Sequence, residues 1–296
     1  MKPFPIPVVA IGPGSQVEEE TLNYMAMPSG MTTFRAPLLP EPEEINARHG
    51  AHVALRAVLA ALDETRADGH VRRVDLNALD DADRVLINQV MGEGEVSARI
   101  SAGLDGRETR IQESVFAGIW RVVDWLGEVV INDALEIGRI PNGLRVAAAA
   151  DVLSQHAPPL PEPLPPGVMN SPMLLTEIED AWLRWQAGDE PHIVNLTLLP
   201  MEVPDISFMD YQLGTGRVLI LSRGYGNCRI TNTQRPNCWR VVYYNSQDAV
   251  ILNTVEVTDL PEVACAATVD LDDSHERLQE VLQWVEGVTP ANGEMA

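Results

Sequence analysis

The chain has 296 residues, 45% of them hydrophobic, which is enough for one large folded domain or two of ordinary size. Its 43 acidic and 21 basic residues give a formal net charge of −22, which opposes broad contacts with nucleic acid or an anionic membrane surface and favours a basic partner. Three cysteines are too few for a disulfide framework, no stretch is apolar enough to cross a membrane, and the proline-interrupted N-terminus lacks a signal-peptide pattern, so we expect a soluble cytoplasmic protein.

The chain begins with a predicted extended segment, residues 1–45, which contains several prolines together with Met25, Met27 and Met31. The hydrophobic periodicity of residues 46–156 then predicts a first α+β unit. Its predicted order is a helix, a strand, a short helix, four strands in a meander and a closing helix. These elements are expected at residues 51–69, 71–76, 81–92, 95–101, 108–114, 118–125, 128–137 and 143–156.

Residues 157–171 predict a proline-rich linker, since six prolines between 157 and 167 favour an extended chain. A second α+β unit, residues 172–289, repeats the order of the first, and a short tail, 290–296, follows. Ser274 or Asp273 is the expected N-cap of the last helix. The elements of this second unit are expected at residues 174–189, 192–198, 204–214, 217–222, 227–232, 238–245, 249–257 and 274–287.

The two units resemble each other in sequence. RIQESVFAGIWRVV, residues 110–123, and RITNTQRPNCWRVV, residues 229–242, are identical at six of 14 positions without a gap. MGEGEV matches LGTGRV, VDLNAL matches VNLTLL, and LEIGRIP matches VEVTDLP, in the same order and at nearly the same spacing. The predicted fold class is therefore α+β, with two tandem homologous units joined by a proline-rich linker.

The paired Gly-x-Gly motifs do not predict a nucleotide site. A dinucleotide fingerprint needs a strand, then the glycine loop, then a helix, whereas here a helix precedes the glycines and a strand follows. The third glycine is also missing, because Ser97 and Leu219 stand in its place. Tight helix-to-strand turns are the expected use of these glycines.

Cys228, Cys238 and Cys265 are the candidate metal or redox residues, but they lack a short chelating pair and an evident fourth ligand. In the repeat alignment, Cys228 and Cys238 occupy strand positions, where a buried cysteine acts as a small apolar residue. A structural role is the favoured interpretation, with a redox or metal role left open. The histidines are dispersed, and no hydrolytic motif is present, so we expect neither a catalytic site nor a cofactor.

The loop at residues 222–227, just before the hairpin that carries Cys228 and Cys238, is the least generic local feature. Two glycines bracket a tyrosine, and arginines lie on either side, a combination that suits an aromatic and cationic contact with a partner. A hairpin turn with a packed tyrosine is an equal alternative. The candidate partner-binding residues are Arg223, Gly224, Tyr225, Gly226, Asn227 and Arg229.

Several longer motifs, in order, resemble the HupH/HoxQ/HyaF family of hydrogenase expression and formation proteins. They are MGEGEVSARI, IQESVFAGIWRV, NLTLLPM, the long stretch from SRGYGNCRI to PEVACAA, and DDSHERLQEVLQWV. The resemblance covers roughly residues 72–288 well. It supplies no catalytic residues.

The resemblance implies a cytoplasmic accessory protein without enzymatic activity. Its implied partner is the iron–sulfur small-subunit precursor of an uptake [NiFe]-hydrogenase, bound as by a chaperone before twin-arginine export. Other maturation proteins are further possible partners. The alternatives are an iron–sulfur or redox carrier that uses the three cysteines, and a structural subunit of a maturation complex.

Overall fold

A computed structural model of the protein describes residues 48–224 and 226–286. Within them the fold is α+β, with six α-helices, two short 3-10 helices at Leu196–Leu198 and Glu262–Ala264, and ten strands. The helices are α1 (His49–Asp68), α2 (Asp81–Met91), α3 (Asn142–Ala150), α4 (Ser171–Arg184), α5 (Val203–Leu213) and α6 (Thr268–Val285). The strands are β1 (Arg72–Asp75), β2 (Val96–Ile100), β3 (Arg107–Glu113), β4 (Ile119–Leu126), β5 (Val129–Ile137), β6 (His192–Asn195), β7 (Val218–Ser222), β8 (Asn227–Asn232), β9 (Cys238–Tyr244) and β10 (Val250–Val257).

The described residues form two compact units, and both are discontinuous in sequence. The first unit contains residues 48–147, 217–224 and 262–286, and the second contains 148–216 and 226–261. Strand β7 and helix α6, which follow the proline-rich segment in the chain, thus belong to the first unit. The boundaries predicted for the sequence repeats, 46–156 and 172–289, remain a prediction about duplication and differ from this division into compact units.

The first unit is a sheet of antiparallel strands in the order β1-β5-β4-β3-β2-β7, covered by helices. Helix α1 presents an apolar stripe at helical spacing, with Leu55, Val58 and Leu62 fully buried. The α6 side chains Leu278 and Leu282 join the same core. This packing explains why α6 lies in the first unit, since its apolar face is buried there together with that of α1.

The second unit is a sheet of antiparallel strands in the order β8-β9-β10-β6, packed against α4 and α5. Its core includes Ile178 and Trp182 of α4, Ile206 of α5 and Val255 of β10. Because successive residues of a strand point to opposite faces, alternate residues of β8, β9 and β10 face these helices.

Most predicted elements are present at nearly the predicted residues, and four differ. Helix α4, predicted at 174–189, begins three residues earlier and ends five residues earlier, at Arg184. The N-cap prediction for α6 is wrong: the helix begins at Thr268, Ser274 is buried inside it, and the Asp270 carboxylate accepts from the Ala267 N–H at the true N-cap. Helix α3 ends at Ala150, six residues before the predicted end. Strand β6 ends at Asn195, because the Asn195 side chain accepts hydrogen bonds from the N–H groups of Thr197 and Leu198 and starts a 3-10 turn.

No helix among residues 48–224 and 226–286 is long and apolar enough to cross a membrane. The N-terminal segment predicted for residues 1–45 and the tail predicted for 290–296 lie outside the described residues.

Candidate functional site

The strand pairing separates Cys228 from Cys238. Cys228 pairs with Tyr243 across β8 and β9, whereas Cys238 pairs with Val257 of β10. Tyr243, which lies opposite Cys228, is five residues from Cys238 along β9. Because this number is odd, the two thiols point to opposite faces of the sheet. Cys265 belongs to the first unit and is half-buried.

Burial also sets the chemistry of the two sheet thiols. Cys228 and Cys238 are 3% and 2% exposed, as expected for small apolar core residues. Burial raises the pKa of each thiol to about 12, although Cys228 is hydrogen-bonded to the side chain of Tyr243. Metal binding and nucleophilic attack need the thiolate, which is scarce at neutral pH. Residues 48–224 and 226–286 contain no group of three or more His, Cys, Asp or Glu side chains that could hold a metal.

The predicted partner-binding loop is divided between the two units. In the first unit, the Arg223 N–H donates to the carbonyl oxygen of Glu95 over 3.2 Å, and the Glu95 carboxylate fills the space where a side chain on Gly224 would lie. Burial lowers the pKa of the half-buried Arg223 guanidinium, an effect that the charge of Glu93 opposes.

The rest of that loop belongs to the second unit or is not described. Gly226 and Asn227 are exposed at the start of β8, and Gly226 has a φ of 106°, which a side chain would strain. Tyr225 lies outside the described residues. A partner contact by its ring therefore stays a prediction.

Arg229 lines a polar cavity of about 150 Å³ in the second unit, between α5 and the strands β8, β9 and β10. Its polar lining comes from Asp210 of α5, Arg229 and Thr231 of β8, Arg240 and Tyr244 of β9, and Asn253 of β10. Alternation along the strands places these side chains on the helix-facing side of the sheet. The predicted role of Arg229 in partner binding stays a prediction, and the sequence analysis did not identify Asp210, Arg240 or Asn253.

An arginine–aspartate pair lies in the lining of this cavity. Arg240 Nε lies 3.4 Å from Asp210 Oδ1, and the two side chains are 13% and 40% exposed. Burial raises the pKa of Asp210, with the charge of Arg240 acting in the opposite direction. Burial lowers the pKa of the Arg240 guanidinium, while the charge of Asp210 raises it.

The first unit has an arginine, Arg121, at the position that the sequence alignment matches with Arg240, and its surroundings differ. Arg121 forms a bidentate ion pair with Asp133, with Nε–Oδ1 and Nη2–Oδ2 distances of 2.5 and 2.7 Å. Its Nη1 donates to Asn88. The sequence alignment that matched the two tryptophans also pairs Asn88 with Asp210 and Asp133 with Asn253. In both pairs an asparagine in one half is matched with an aspartate in the other. This exchange between the helix position and the strand position was the sequence signal that could have located the cavity.

The proline-rich segment forms a second surface feature of the same unit. Its prolines line a groove of about 620 Å³ together with Pro204, Phe208 and Tyr211 of α5. The Tyr211 side chain is 80% exposed beside it. At the end of the segment, Asp205 accepts hydrogen bonds from the N–H groups of residues 169–171. The predicted linker is thus fastened to the second unit along α5.

The sequence is similar to known proteins along almost its whole length. A family model described as "HupH hydrogenase expression protein, C-terminal conserved region" matches residues 49–158 and 168–285. Hydrogenase expression/formation protein HoxQ of Cupriavidus necator is 54% identical over 287 residues, covering 96% of this chain and 99% of that protein. Hydrogenase expression/formation protein HupH of Rhodobacter capsulatus is 46% identical, covering 95% and 98%. Hydrogenase-1 operon protein HyaF of Escherichia coli is 34% identical, covering 95% and 97%.

The chain is also similar to a protein of known structure. Hydrogenase expression protein HupH from Thiobacillus denitrificans is 26% identical, with a TM-score of 0.36, and the match covers 40% of this chain and 96% of that one. The family assignment rests on the sequence matches, which span both parts of the chain on either side of the proline-rich segment. The chain belongs to the HupH family of hydrogenase expression and formation proteins.

Proposed function

We propose that the protein is a maturation accessory protein for a [NiFe]-hydrogenase and acts as a chaperone of the iron–sulfur small subunit. In this role it binds the precursor in the cytoplasm before twin-arginine export and has no catalytic activity of its own. The observation that carries the proposal is the 54% identity, over nearly the full length of both chains, with a hydrogenase expression/formation protein.

The charge of the chain suits such a client. A formal charge of −22 attracts a precursor that carries a basic twin-arginine segment, and long-range attraction of this kind speeds encounter more than it adds affinity. Arg223, Gly226, Asn227 and the neighbouring Tyr225 are the proposed contact region, because Gly226 and Asn227 are exposed. The tyrosine would supply the apolar part of the contact.

The two halves are proposed to be copies of one α+β unit. In support, the order helix, strand, helix, four strands and helix occurs twice along the chain. The indole N–H of Trp120 donates to the Gly138 carbonyl, and that of Trp239 donates to the Thr258 carbonyl, at matching positions. Each bond joins the fourth strand of its half to the residue just after the following strand.

Capture from hydrogenase-expressing cells tests the client. Tagged full-length protein should retain the small-subunit precursor with its signal uncleaved, and raising the ionic strength should weaken the capture because exposed charges are screened. Capture of only the large subunit, or of only the processed small subunit, would contradict the proposal. Capture that is unchanged at high salt would remove its electrostatic part.

Single substitutions test the contact region. Tyr225→Ala and Asn227→Ala should lower precursor capture, whereas Gln247→Ala, at an exposed turn of the second unit, serves as the matched control. Equal capture by all three variants would refute this location of the contact.

The alternative function, an iron–sulfur or redox carrier, requires Cys228, Cys238 and Cys265. Replacing all three with alanine or serine should leave precursor capture and hydrogenase maturation intact if the protein is a chaperone. Loss of maturation with capture retained would favour the carrier instead.

A further inference from the structure

The groove between the proline-rich segment and α5 is an open apolar surface of the second unit. Nine of its eleven lining residues are apolar: six prolines, Val168, Phe208 and Tyr211. On α5, Pro204, Phe208 and Tyr211 follow one another at spacings of four and three residues, so they form one stripe along the helix. The volume of the groove, about 620 Å³, lies in the range of ligand-binding pockets, so it is a candidate docking surface.

Both ends of the proline-rich segment are fixed to helices of the same unit. Before the prolines, the Ala157 N–H donates to the Glu179 carboxylate of α4 over 2.9 Å. After them, Asp205 of α5 accepts from the N–H groups of residues 169–171. Because these contacts hold the segment in place without a ligand, an occupant does not have to order the groove, which removes one cost of binding.

The apolar lining determines the kind of chain that the groove accepts. A peptide bound there loses water from its main-chain N–H groups, and apolar side chains cannot replace those hydrogen bonds. Proline has no N–H and favours an extended chain, so a proline-rich segment avoids much of this cost. Docking of extended proline-rich segments on aromatic-lined grooves is a recurrent mode of recognition.

The charges around the groove disfavour an acidic occupant. Residues 148–216, which supply the whole lining, contain ten acidic residues and one arginine, Arg184. Arg184 forms an ion pair with Asp180. Arg235, from outside this range, is buried and donates to the Gln212 carbonyl oxygen over 2.8 Å. A segment with basic and without acidic side chains therefore suits these surroundings best.

The chain itself contains a segment with these properties. Residues 3–7 read PFPIP, in which prolines alternate with Phe4 and Ile6. Residues 2–17 include Lys2 and no acidic side chain, in a chain whose formal charge is −22. The segment thus combines few main-chain N–H groups, two large apolar side chains and a positive charge.

The connection to the described structure is long enough for docking. The first described residue is Arg48, so residues 8–47 join the segment to α1. Forty extended residues span up to about 130 Å, which is many times the radius of gyration of a typical domain. A tether also keeps the segment at an effective concentration that compensates for weak contacts.

We propose that residues 3–7 of the chain dock in this groove, with their apolar side chains against Tyr211 and the prolines. The groove is then an intramolecular docking site for the N-terminal segment. This inference does not depend on the proposed chaperone function.

Fluorine NMR of the full-length protein labelled with 4-fluorophenylalanine tests the docking. The chain has four phenylalanines, and Phe4→Leu identifies the Phe4 signal by its loss. A soluble nitroxide broadens the signals of exposed groups, so Phe4 should be partly protected in the wild type. This protection should not change on dilution, because the contact is intramolecular.

Two variants of the groove should release the segment. Tyr211→Ala should lower the ratio of docked to free segment at least about fivefold, as expected for the loss of an aromatic contact. Ser207→Arg, at an exposed position of the groove, should act likewise by filling the space and repelling Lys2. Leu198→Ala truncates a side chain outside the groove that is 80% exposed, as Tyr211 is, and should leave Phe4 protected.

The charge of the segment is tested separately. Lys2→Glu should lower the docked fraction, whereas Arg35→Glu makes the same charge change outside residues 2–17 and serves as the control. Equal docked fractions in these two variants would contradict the charge complementarity.

Two further results would overturn the proposal. The first is equal broadening of Phe4 in the wild type, Tyr211→Ala and Ser207→Arg, which would mean that the segment is free or docks elsewhere and leaves the groove open to another chain. The second is protection that rises with protein concentration, which would show that the segment of a second copy occupies the groove.

Discussion

Replacing Asp205 with alanine is expected to destabilise the second unit, because this side chain fastens the end of the proline-rich segment to α5. Asp205 is fully buried in the first turn of the helix. Its Oδ1 accepts from the main-chain N–H groups of Met169, Asn170 and Ser171 over 2.9, 2.8 and 2.9 Å, and from the Ser171 hydroxyl over 3.0 Å. All four bonds are lost in Asp205→Ala.

The size of the loss follows from which donors remain buried. Met169 is exposed and Asn170 half-exposed, so their N–H groups can bond to water after the substitution. Ser171 is fully buried, so its N–H and hydroxyl are both left unsatisfied, at about 1–3 kcal/mol for each donor. With partial relaxation, we expect the free energy of unfolding to fall by about 2–4 kcal/mol.

Urea unfolding followed by tryptophan fluorescence measures this difference. Asp180→Ala removes an exposed carboxylate from the neighbouring helix α4 and is the matched control, with an expected change of no more than about 0.5 kcal/mol. Asp205→Asn keeps an acceptor but loses the charge, so its effect should lie between the two. Equal midpoints for Asp205→Ala and Asp180→Ala would refute the reasoning.

The same site has a pH signature with a defined sign. Burial alone would raise the pKa of Asp205, but the hydrogen bonds from residues 169–171 outweigh it and hold the pKa below its ordinary value. The unfolded chain therefore binds the proton more readily, so the stabilisation is present above the unfolded pKa and is lost as the pH falls through the folded pKa. The difference between wild type and Asp205→Ala should shrink on acidification, and a pH-independent difference would contradict this assignment.

Three further predictions concern other buried groups. Burial raises the pKa of Glu113 from 4.5 to about 7, so between these pH values the folded protein holds a proton that the unfolded chain releases. The free energy of unfolding should therefore fall as the pH rises from about 4.5 to 7, and Glu113→Gln should flatten its profile against pH. Cys228 and Cys238 should react with a thiol reagent at mildly alkaline pH only after unfolding; rapid labelling of the native protein would disprove their burial. Leu278→Ala should lower the free energy of unfolding by about 2–5 kcal/mol in urea titrations, since the side chain is fully buried among residues of the first unit, and a change under 1 kcal/mol would contradict this packing.

The elements were predictable from sequence because local signals mark their limits. The apolar stripe of α1 ends where Gly69 adopts a left-handed conformation, and α2 and α5 both end at glycines with positive φ, Gly92 and Gly214. Period-two alternation likewise located the strands of both halves. These signals depend on neighbouring residues and need no knowledge of the tertiary fold.

Local signals did not predict which helices and strands belong to each compact unit. The α6 sequence predicts that its leucines are buried but not against which surface, because an amphipathic helix can pack on any complementary apolar surface. The start of α6 was misplaced for a related reason: Ser274 and Asp273 are favourable N-cap residues, but the helix continues through them to Thr268. The buried Leu271 extends the apolar face by a turn and outweighs the capping preference.

The residues of the candidate site are aligned in the two halves of the sequence, but the alignment did not predict how their side chains pair. Arg121 and Arg240 match, yet only the structure shows one held by both oxygens of Asp133 and the other left with an open N–H. Exchanging the amide and the carboxylate between helix and strand preserves the composition and net charge of the trio. It changes only which partner can reach the guanidinium. The position of the carboxylate therefore decides the geometry of the pair: on the strand, as Asp133, it meets the arginine with both oxygens, and on the helix, as Asp210, it approaches only Nε, at 3.4 Å.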